Sequence, residues 1–247
     1  MSPNTIHYCW FGRGEKPPAV LKCIESWRKF LPDFIIKEWN EDCFDINCNL
    51  YVRQAYVSKK YAFVSDYARF WVLHEYGGLY LDTDVEIIKP FGSLLADEAF
   101  AGHETRDFVA PGLVLWCKSE GNEIVKEMLH VYETAHFINE DGSMNTLTVC
   151  VYFTEILQKH GFIPGDEKQQ CGSFSIYPKE YFCPFDDLTG VMNITKNTVS
   201  IHWYAKTWMS KKQILGNKIS RVLHRIFGVH FFWDIKQKLK NNRSGSQ

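Results

Sequence analysis

Four common signatures are missing from this chain. It holds no G-x-x-x-x-G-K-[ST], no G-x-G-x-x-G, no H-E-x-x-H and no G-x-S-x-G. A P-loop, a dinucleotide fingerprint, a zinc-protease helix and a nucleophile elbow are therefore not encoded as local motifs. The eight cysteines (9, 23, 43, 48, 117, 150, 171 and 183) contain no C-x-x-C pair and no regular framework. In a chain of 247 residues with 45% apolar content they read as reduced thiols, which points to a cytosolic compartment. Long apolar runs are also lacking. The longest, Phe108 to Cys117, is about half of the ~20 residues that a membrane span needs. Met1-Ser2-Pro3-Asn4 opens without a charged and then apolar leader, so no signal peptide is expected. There is neither an internal repeat nor a low-complexity segment.

Net charge is nearly absent as well, at −1, but that figure hides a strong division. Residues 1–204 carry 18 Lys/Arg against 28 Asp/Glu, a balance of −10. Residues 205–247 carry ten Lys/Arg against one acid, Asp234, a balance of +9. An acidic body of this kind repels a phosphate backbone, so nucleic acid is not an expected partner. What is abundant is aromatic surface: 15% of residues, with eight Trp, a composition that suits stacking or sugar binding.

Periodicity divides the body into alternating elements. Thr5 to Phe11 reads as a strand closed by Gly12-Arg13-Gly14. Pro17-Pro18 open a helix over Ala19 to Leu31, and Phe34 to Trp39 is the next strand. Strand, helix, strand within about 35 residues predicts a parallel pair with a right-handed crossover. Residues 40–60 read as loop and short helix. Phe91–Leu95 reads as a short helix, Ala99–Gly102 as a strand and Leu113–Cys117 as a buried strand. Asn122–Phe137 and Thr146–His160 read as helices, residues 163–197 as short strand fragments, and Thr198–Trp203 as a late strand. The class implied is α/β, with a nucleotide-binding type of sheet.

The chain is organised around YAFVSDYARFWVLHEYGGLYLDTDVE, residues 61 to 86. A helix is predicted up to Gly77-Gly78, followed by a short apolar strand, Leu79-Tyr80-Leu81, that runs into Asp82-Thr83-Asp84. Two carboxylates at i and i+2 on the end of a buried strand are costly unless neutralised. A hard divalent cation, Mn²⁺ or Mg²⁺, takes oxygen ligands and leaves positions for phosphate oxygens. A solvated turn is the plain alternative. Asp66 and Arg69, three apart, share one helix face. The double glycine would fold that face back toward Asp82 and Asp84.

Several blocks together resemble the DXD-containing glycosyltransferases of family 32, the capsular-polysaccharide and yeast initiating-mannosyltransferase type, relatives of the glucosylating clostridial toxins. They are Ile6 to Gly12 (IHYCWFG), Trp39-Asn40, Ser65 to Arg69 (SDYAR), Gly77 to Val85 (GGLYLDTDV) and His202 to Trp208 (HWYAKTW). The resemblance implies a GT-A type, Rossmann-like mixed sheet flanked by helices, a nucleotide-sugar donor, a divalent metal and a retaining transfer. Its blocks span residues 6 to 208, which implies a catalytic domain over residues 1–208 and leaves residues 209–247 outside. By position, Trp10 matches a base-stacking residue, although a core Trp is the alternative. Asp66 and Arg69 match groups that hold the donor sugar, although they can also simply pair with each other. Asp84 matches a direct metal ligand, and Asp82 a bridge to ribose or metal. His202 matches a metal- or phosphate-facing residue, with a structural His as the alternative. Tyr80, Thr207 and Trp208 fall among the donor-binding positions. Thr207 replaces a usual Ser, and Lys206 replaces a usual small residue.

The expected function is metal-dependent transfer of a hexose, from UDP-galactose or UDP-glucose by preference and GDP-mannose next, to a glycan acceptor. That acceptor is expected to be lipid-linked, in capsular or surface polysaccharide synthesis. A nucleotidyltransferase or phosphohydrolase using the same metal is one competitor. The other is a non-catalytic glycan- or lipid-binding module with structural calcium. The tail has the composition of amphipathic helices. Ile214, Leu215, Ile219, Val222, Leu223 and Ile226 fall on one face, with Lys211, Lys218, Arg221 and Arg225 around it and Phe231-Phe232-Trp233 beyond. Residues 210–240 are thus expected to meet an anionic membrane surface at its cytoplasmic face, or else to pack on the domain.

Overall fold

A computed structural model describes residues 4–205, together with 221 and 224. The chain groups into two compact units. The first runs to Pro184 and resumes over Ile194–Trp203; the second takes Phe185–Asn193 and continues from Tyr204.

In the first unit, β1 (Thr5–Cys9) leads through α1 (Pro18–Phe30) to β2 (Ile35–Trp39). The two strands pair in parallel, as the βαβ spacing predicted. Next come α2 (Leu50–Val57), α3 (Tyr61–Tyr76) and β3 (Gly78–Tyr80), the last also parallel to β1. β4 (Val85–Ile87) and a 3₁₀ turn (Gly92–Ala96) precede β5 (Ala99–His103) and β6 (Val109–Cys117). Then follow α4 (Glu123–Thr134), α5 (Val149–Lys159), β7 (Gln169–Cys171), β8 (Phe174–Tyr177), α6 (Lys179–Phe182) and β9 (Ser200–His202). Seven strands form one mixed sheet in the order β2-β1-β3-β6-β5-β8-β7, and β4 pairs with β9 in a separate ribbon. The expected α/β mixed sheet is present. β6 is longer than the five-residue strand expected from Leu113. It begins at Val109, so that Pro111-Gly112, which precede the expected strand, lie inside a fully buried one.

Strand alternation divides the core between two faces. Cys9, Tyr80, Leu115, Ala101 and Ile176 join the cluster that α2 to α5 cover. On the other face Tyr8 meets Trp27 of α1 at 5.6 Å between ring centroids, and Phe100 stacks on Phe182 of α6 at 5.8 Å. Trp27 is fully buried, and its indole N–H donates to the Val85 carbonyl at 2.7 Å. That bond ties α1 to the ribbon carrying the end of the acidic triplet.

Gly78 shows why the glycine pair is needed. Its φ is +97°, and a Cβ there would lie 2.7 Å from the Thr5 carbonyl oxygen and 3.0 Å from His7 Nε2. His7 is buried in β1, with Nε2 3.0 Å from the Gly77 oxygen and Nδ1 accepting from the Trp39 indole at 3.0 Å. Burial holds its pKa down at about 4. All eight cysteines are free thiols, and no helix among the described residues is long and apolar enough to cross a membrane.

In the second unit the loop Phe185–Asn193 carries ion-pairing groups for the later chain. Arg221 pairs with the Asp187 carboxylate, and its Nε donates to the Asp187 carbonyl at 2.9 Å. The expected tail helices otherwise lie outside the described residues.

Candidate active site

Three parallel strands, β1, β2 and β3, present their carboxyl ends along one sheet edge. Trp10 follows the first, Asn40 the second and Asp82 the third, which is the edge where open α/β sheets bind ligands. Helix α3 precedes β3 with only Gly77 between them, so its polar face returns to the same edge. Arg69 is buried there. Its Nη2 lies 2.8 Å from Asp66 Oδ1 and 3.3 Å from Asp82 Oδ1, and Nε donates to the Ser65 carbonyl at 3.2 Å. Tyr80 adds a hydroxyl donated to Asp82 Oδ1 at 3.0 Å, and its ring lies 5.0 Å under the guanidinium carbon. The helix pair and the acidic triplet, 16 positions apart from Asp66 to Asp82, are thus one ionic network.

His202 comes from the far end of the chain. β4 and β9 pair antiparallel with Val85 opposite His202, and the Trp203 amide donates to the Asp84 carbonyl at 3.0 Å. The ribbon sets His202 Nε2 3.1 Å from Asp84 Oδ1. Ligand atoms of Asp82, Asp84 and His202 all lie within 4.8 Å of one another. Two carboxylates and an imidazole at that separation are a donor set that fits Mn²⁺ or Mg²⁺. The three side chains keep 30%, 18% and 13% of their surface, so each remains reachable by a ligand.

The electrostatics show how much negative charge is held here. Burial pushes the Asp66 carboxyl up to about 6, opposed by Arg69 and reinforced by Asp82. Burial also raises Asp82, with Arg69 opposing and Asp84 adding to the rise. For Arg69, burial works against the charge, but Asp82, Tyr80 and Asp66 outweigh it and hold the guanidinium well above its usual value. For His202, burial is likewise outweighed, by Asp84 first and then Asp82 and Glu104, and the imidazole is raised.

The Asp66 shift has a pH consequence. Between about pH 4 and 6 the native carboxyl binds more proton than the unfolded one. Its contribution to stability is therefore greatest below that window and falls away as pH rises through it, by roughly 3 kcal/mol. His7 acts with the opposite sign, because its depressed pKa costs stability as pH falls from about 6.5 to 4. The difference between wild type and Asp66→Asn isolates the first effect. Denaturant titrations should give a smaller stability gap at pH 4.5 than at pH 7. A gap independent of pH would show that Asp66 is ionised throughout.

Trp10 is half-buried, its indole N–H donating to the Gly14 carbonyl at 2.7 Å, with the Lys16 ammonium 5.7 Å from the ring centroid. One ring face is thus bordered by a cation at the end of β1. Lys206, Thr207 and Trp208 lie outside the described residues. Gly112 was missed in the sequence. Its carbonyl accepts from the Asp82 amide at 3.0 Å, and a Cβ there would lie 2.0 Å from Asp82 Oδ2 and 2.9 Å from Arg69 Nη1. Only a bare backbone lets the carboxylate and guanidinium stand where they do. The signal was a glycine inside an otherwise apolar strand, which marks close approach as well as a break.

Residues 17–101 match the family model described as a glycosyltransferase sugar-binding region containing the DXD motif. The match takes in α1, the Asp66–Arg69 face and the Asp82-Thr83-Asp84 triplet, and the region is that of a glycosyltransferase enzyme, as expected. The structure of PaToxG glycosyltransferase is similar at a TM-score of 0.50 and 18% identity, covering 63% of this chain and 69% of that one. This likeness supports the GT-A type of fold. A glycosyltransferase involved in the glycosylation of the major capsid of PBCV-1 aligns at 13% identity and a TM-score of 0.49, over 88% and 99% of the two chains. The galactosyltransferase LgtC, in complex with donor and acceptor sugar analogues, aligns at 14% and 0.41, over 87% and 93%. A search of curated proteins returns no match.

Proposed function

We propose that this chain is a metal-dependent, retaining hexosyltransferase of the family 32 type. It would move a sugar from a nucleotide donor to a glycan acceptor. The observation that carries this reading is the convergence of Asp66, Arg69, Asp82 and Asp84, from the 61–86 stretch, with His202 of β9. Asp82, Asp84 and His202 would hold Mn²⁺ or Mg²⁺. The chemistry such an ion supplies when bound is Lewis-acid neutralisation of the departing nucleoside diphosphate.

The chain's own groups do the positioning. Arg69, locked between two carboxylates, presents remaining N–H donors in a fixed fork to sugar hydroxyls, and Asp66 accepts from them. Tyr80 and the Gly112 carbonyl hold Asp82 by side chain and amide, so little reorganisation is needed as charge develops. Trp10 stacks on the base, and Thr207 and Trp208 contact the diphosphate. No second carboxylate is nominated as nucleophile. The acceptor hydroxyl attacks from the leaving-group side, with the diphosphate taking its proton.

UDP-galactose or UDP-glucose is the favoured donor and GDP-mannose the next. The acceptor is lipid-linked glycan in capsular or surface polysaccharide synthesis. The acidic body is held at the inner membrane face by residues 210–240. Arg221 pairs with Asp187; by composition, Lys211, Lys218 and Arg225 would supply the positive charge for anionic headgroups.

Incubation with Mn²⁺ and a panel of nucleotide sugars tests the reading. Mass spectrometry is expected to show released or transferred hexose, and proton NMR an anomer of the donor's own configuration. An inverted anomer refutes the retaining route. Nucleotidylated product or free phosphate without sugar refutes the glycosyltransferase.

A further inference from the structure

We propose that Tyr132 is a specificity-determining residue of the donor-sugar subsite, its hydroxyl donating to the same sugar hydroxyl from which Asp66 accepts. This rests on the donor reading above and adds a recognition group to it.

Tyr132 stands near the carboxyl end of α4, a helix that packs against α3. Tyrosines from three other helices box its ring. The centroids lie 4.8 Å from Tyr51 of α2, 5.7 Å from Tyr67 of α3 and 5.8 Å from Tyr152 of α5. The residue is 1% exposed, and its hydroxyl has no hydrogen-bond partner among the described residues. A buried donor left unmet costs free energy, and that cost is recovered where a bound group supplies the acceptor.

Asp66 shows which group that is. It precedes Tyr67 on α3, and after burial itself its carboxylate is the largest influence holding the Tyr132 proton in place. The phenol therefore stays protonated and able to donate. Asp66 keeps 13% of its surface, with Oδ1 against Arg69 at 2.8 Å, so the cleft reaches it. A sugar hydroxyl carries one proton and two lone pairs. Asp66 takes the proton, and the lone pairs then need donors. Tyr132 is the neutral donor beside Asp66 that the protein itself leaves unused, and such bonds close in the complex rather than in the free protein. A hexose offers this hydroxyl, and a sugar deoxygenated at that carbon does not. Buried polar groups of this kind reject the analogue far more strongly than an apolar pocket rejects a change in size.

The test compares wild type with Tyr132→Phe, which removes one oxygen and keeps the ring packing. The donor is whichever of UDP-galactose, UDP-glucose and GDP-mannose wild type turns over with Mn²⁺. For it and its 3-, 4- and 6-deoxy forms, kcat/KM is measured by release of the nucleoside diphosphate. Wild type should reject one deoxy form at least a hundredfold. Tyr132→Phe should shrink that ratio at least tenfold and leave the ratios at the other two carbons unchanged. These ratios do not depend on the fraction of protein that is folded. The denaturant midpoint of Tyr132→Phe should equal or exceed that of wild type, because no bond within the protein is lost. A lower midpoint would show the hydroxyl bonded inside the free protein. Ratios equal to wild type at all three carbons would leave it a packing role alone. Either result overturns the proposal and leaves the donor reading standing, whereas no turnover of any of the three donors by wild type overturns both.

Discussion

Asp84→Asn is expected to lower sugar transfer about 10³-fold, the scale seen when a group aimed at developing charge is removed. The substitution keeps the size of the side chain and the backbone, including the amide bond from Trp203 to the Asp84 carbonyl. It removes one of the two carboxylates in the 4.8 Å donor set. Calorimetric titration provides the discriminating measurement. In wild type, Mn²⁺ should tighten binding of a nucleoside diphosphate; in Asp84→Asn that coupling should vanish while metal-independent affinity for the nucleotide changes little. Coupling retained in the variant would place the cation elsewhere.

Arg69→Met should have the largest effect on stability, about 3–5 kcal/mol. The side chain is 5% exposed and serves two carboxylates, and its removal strands both. For a chain of this size, that loss lowers Tm by roughly 10 °C. The cause can be separated from lost packing, because Met preserves most of the apolar stem. Adding Asp66→Asn to Arg69→Met should recover part of the loss, a coupling that a double-mutant cycle reads directly. Additive single effects would mean that the ion pair contributes nothing net.

The two variants probe groups that differ in how visible they were in the chain. Asp82, Asp84, Asp66 and Arg69 stand in one continuous stretch, and the glycine pair forces helix and strand to double back within it. Their proximity was therefore readable from local chemistry. His202 was reached only through resemblance, since nothing at positions 198–203 says which strand it will pair with. The β4–β9 register decides that, placing it opposite Val85 and so against Asp84. Gly112 was missed because the expected strand began only at Leu113, after it. Here burial on both sides keeps the strand intact, and the missing Cβ makes room for two charged side chains.

The sequence by itself determined the α/β alternation, the parallel first pair of strands, the position of the acidic triplet at a strand end, and the division of charge between body and tail. These follow from periodicity, glycine conformation and composition, all of which act over a few residues. Only the tertiary structure decided which distant groups meet: Arg69 between Asp66 and Asp82, His202 on Asp84, Gly112 beneath both, and Arg221 on Asp187. Such contacts depend on strand order and register, and those are set by burying two sheet faces at once rather than by any local run of residues.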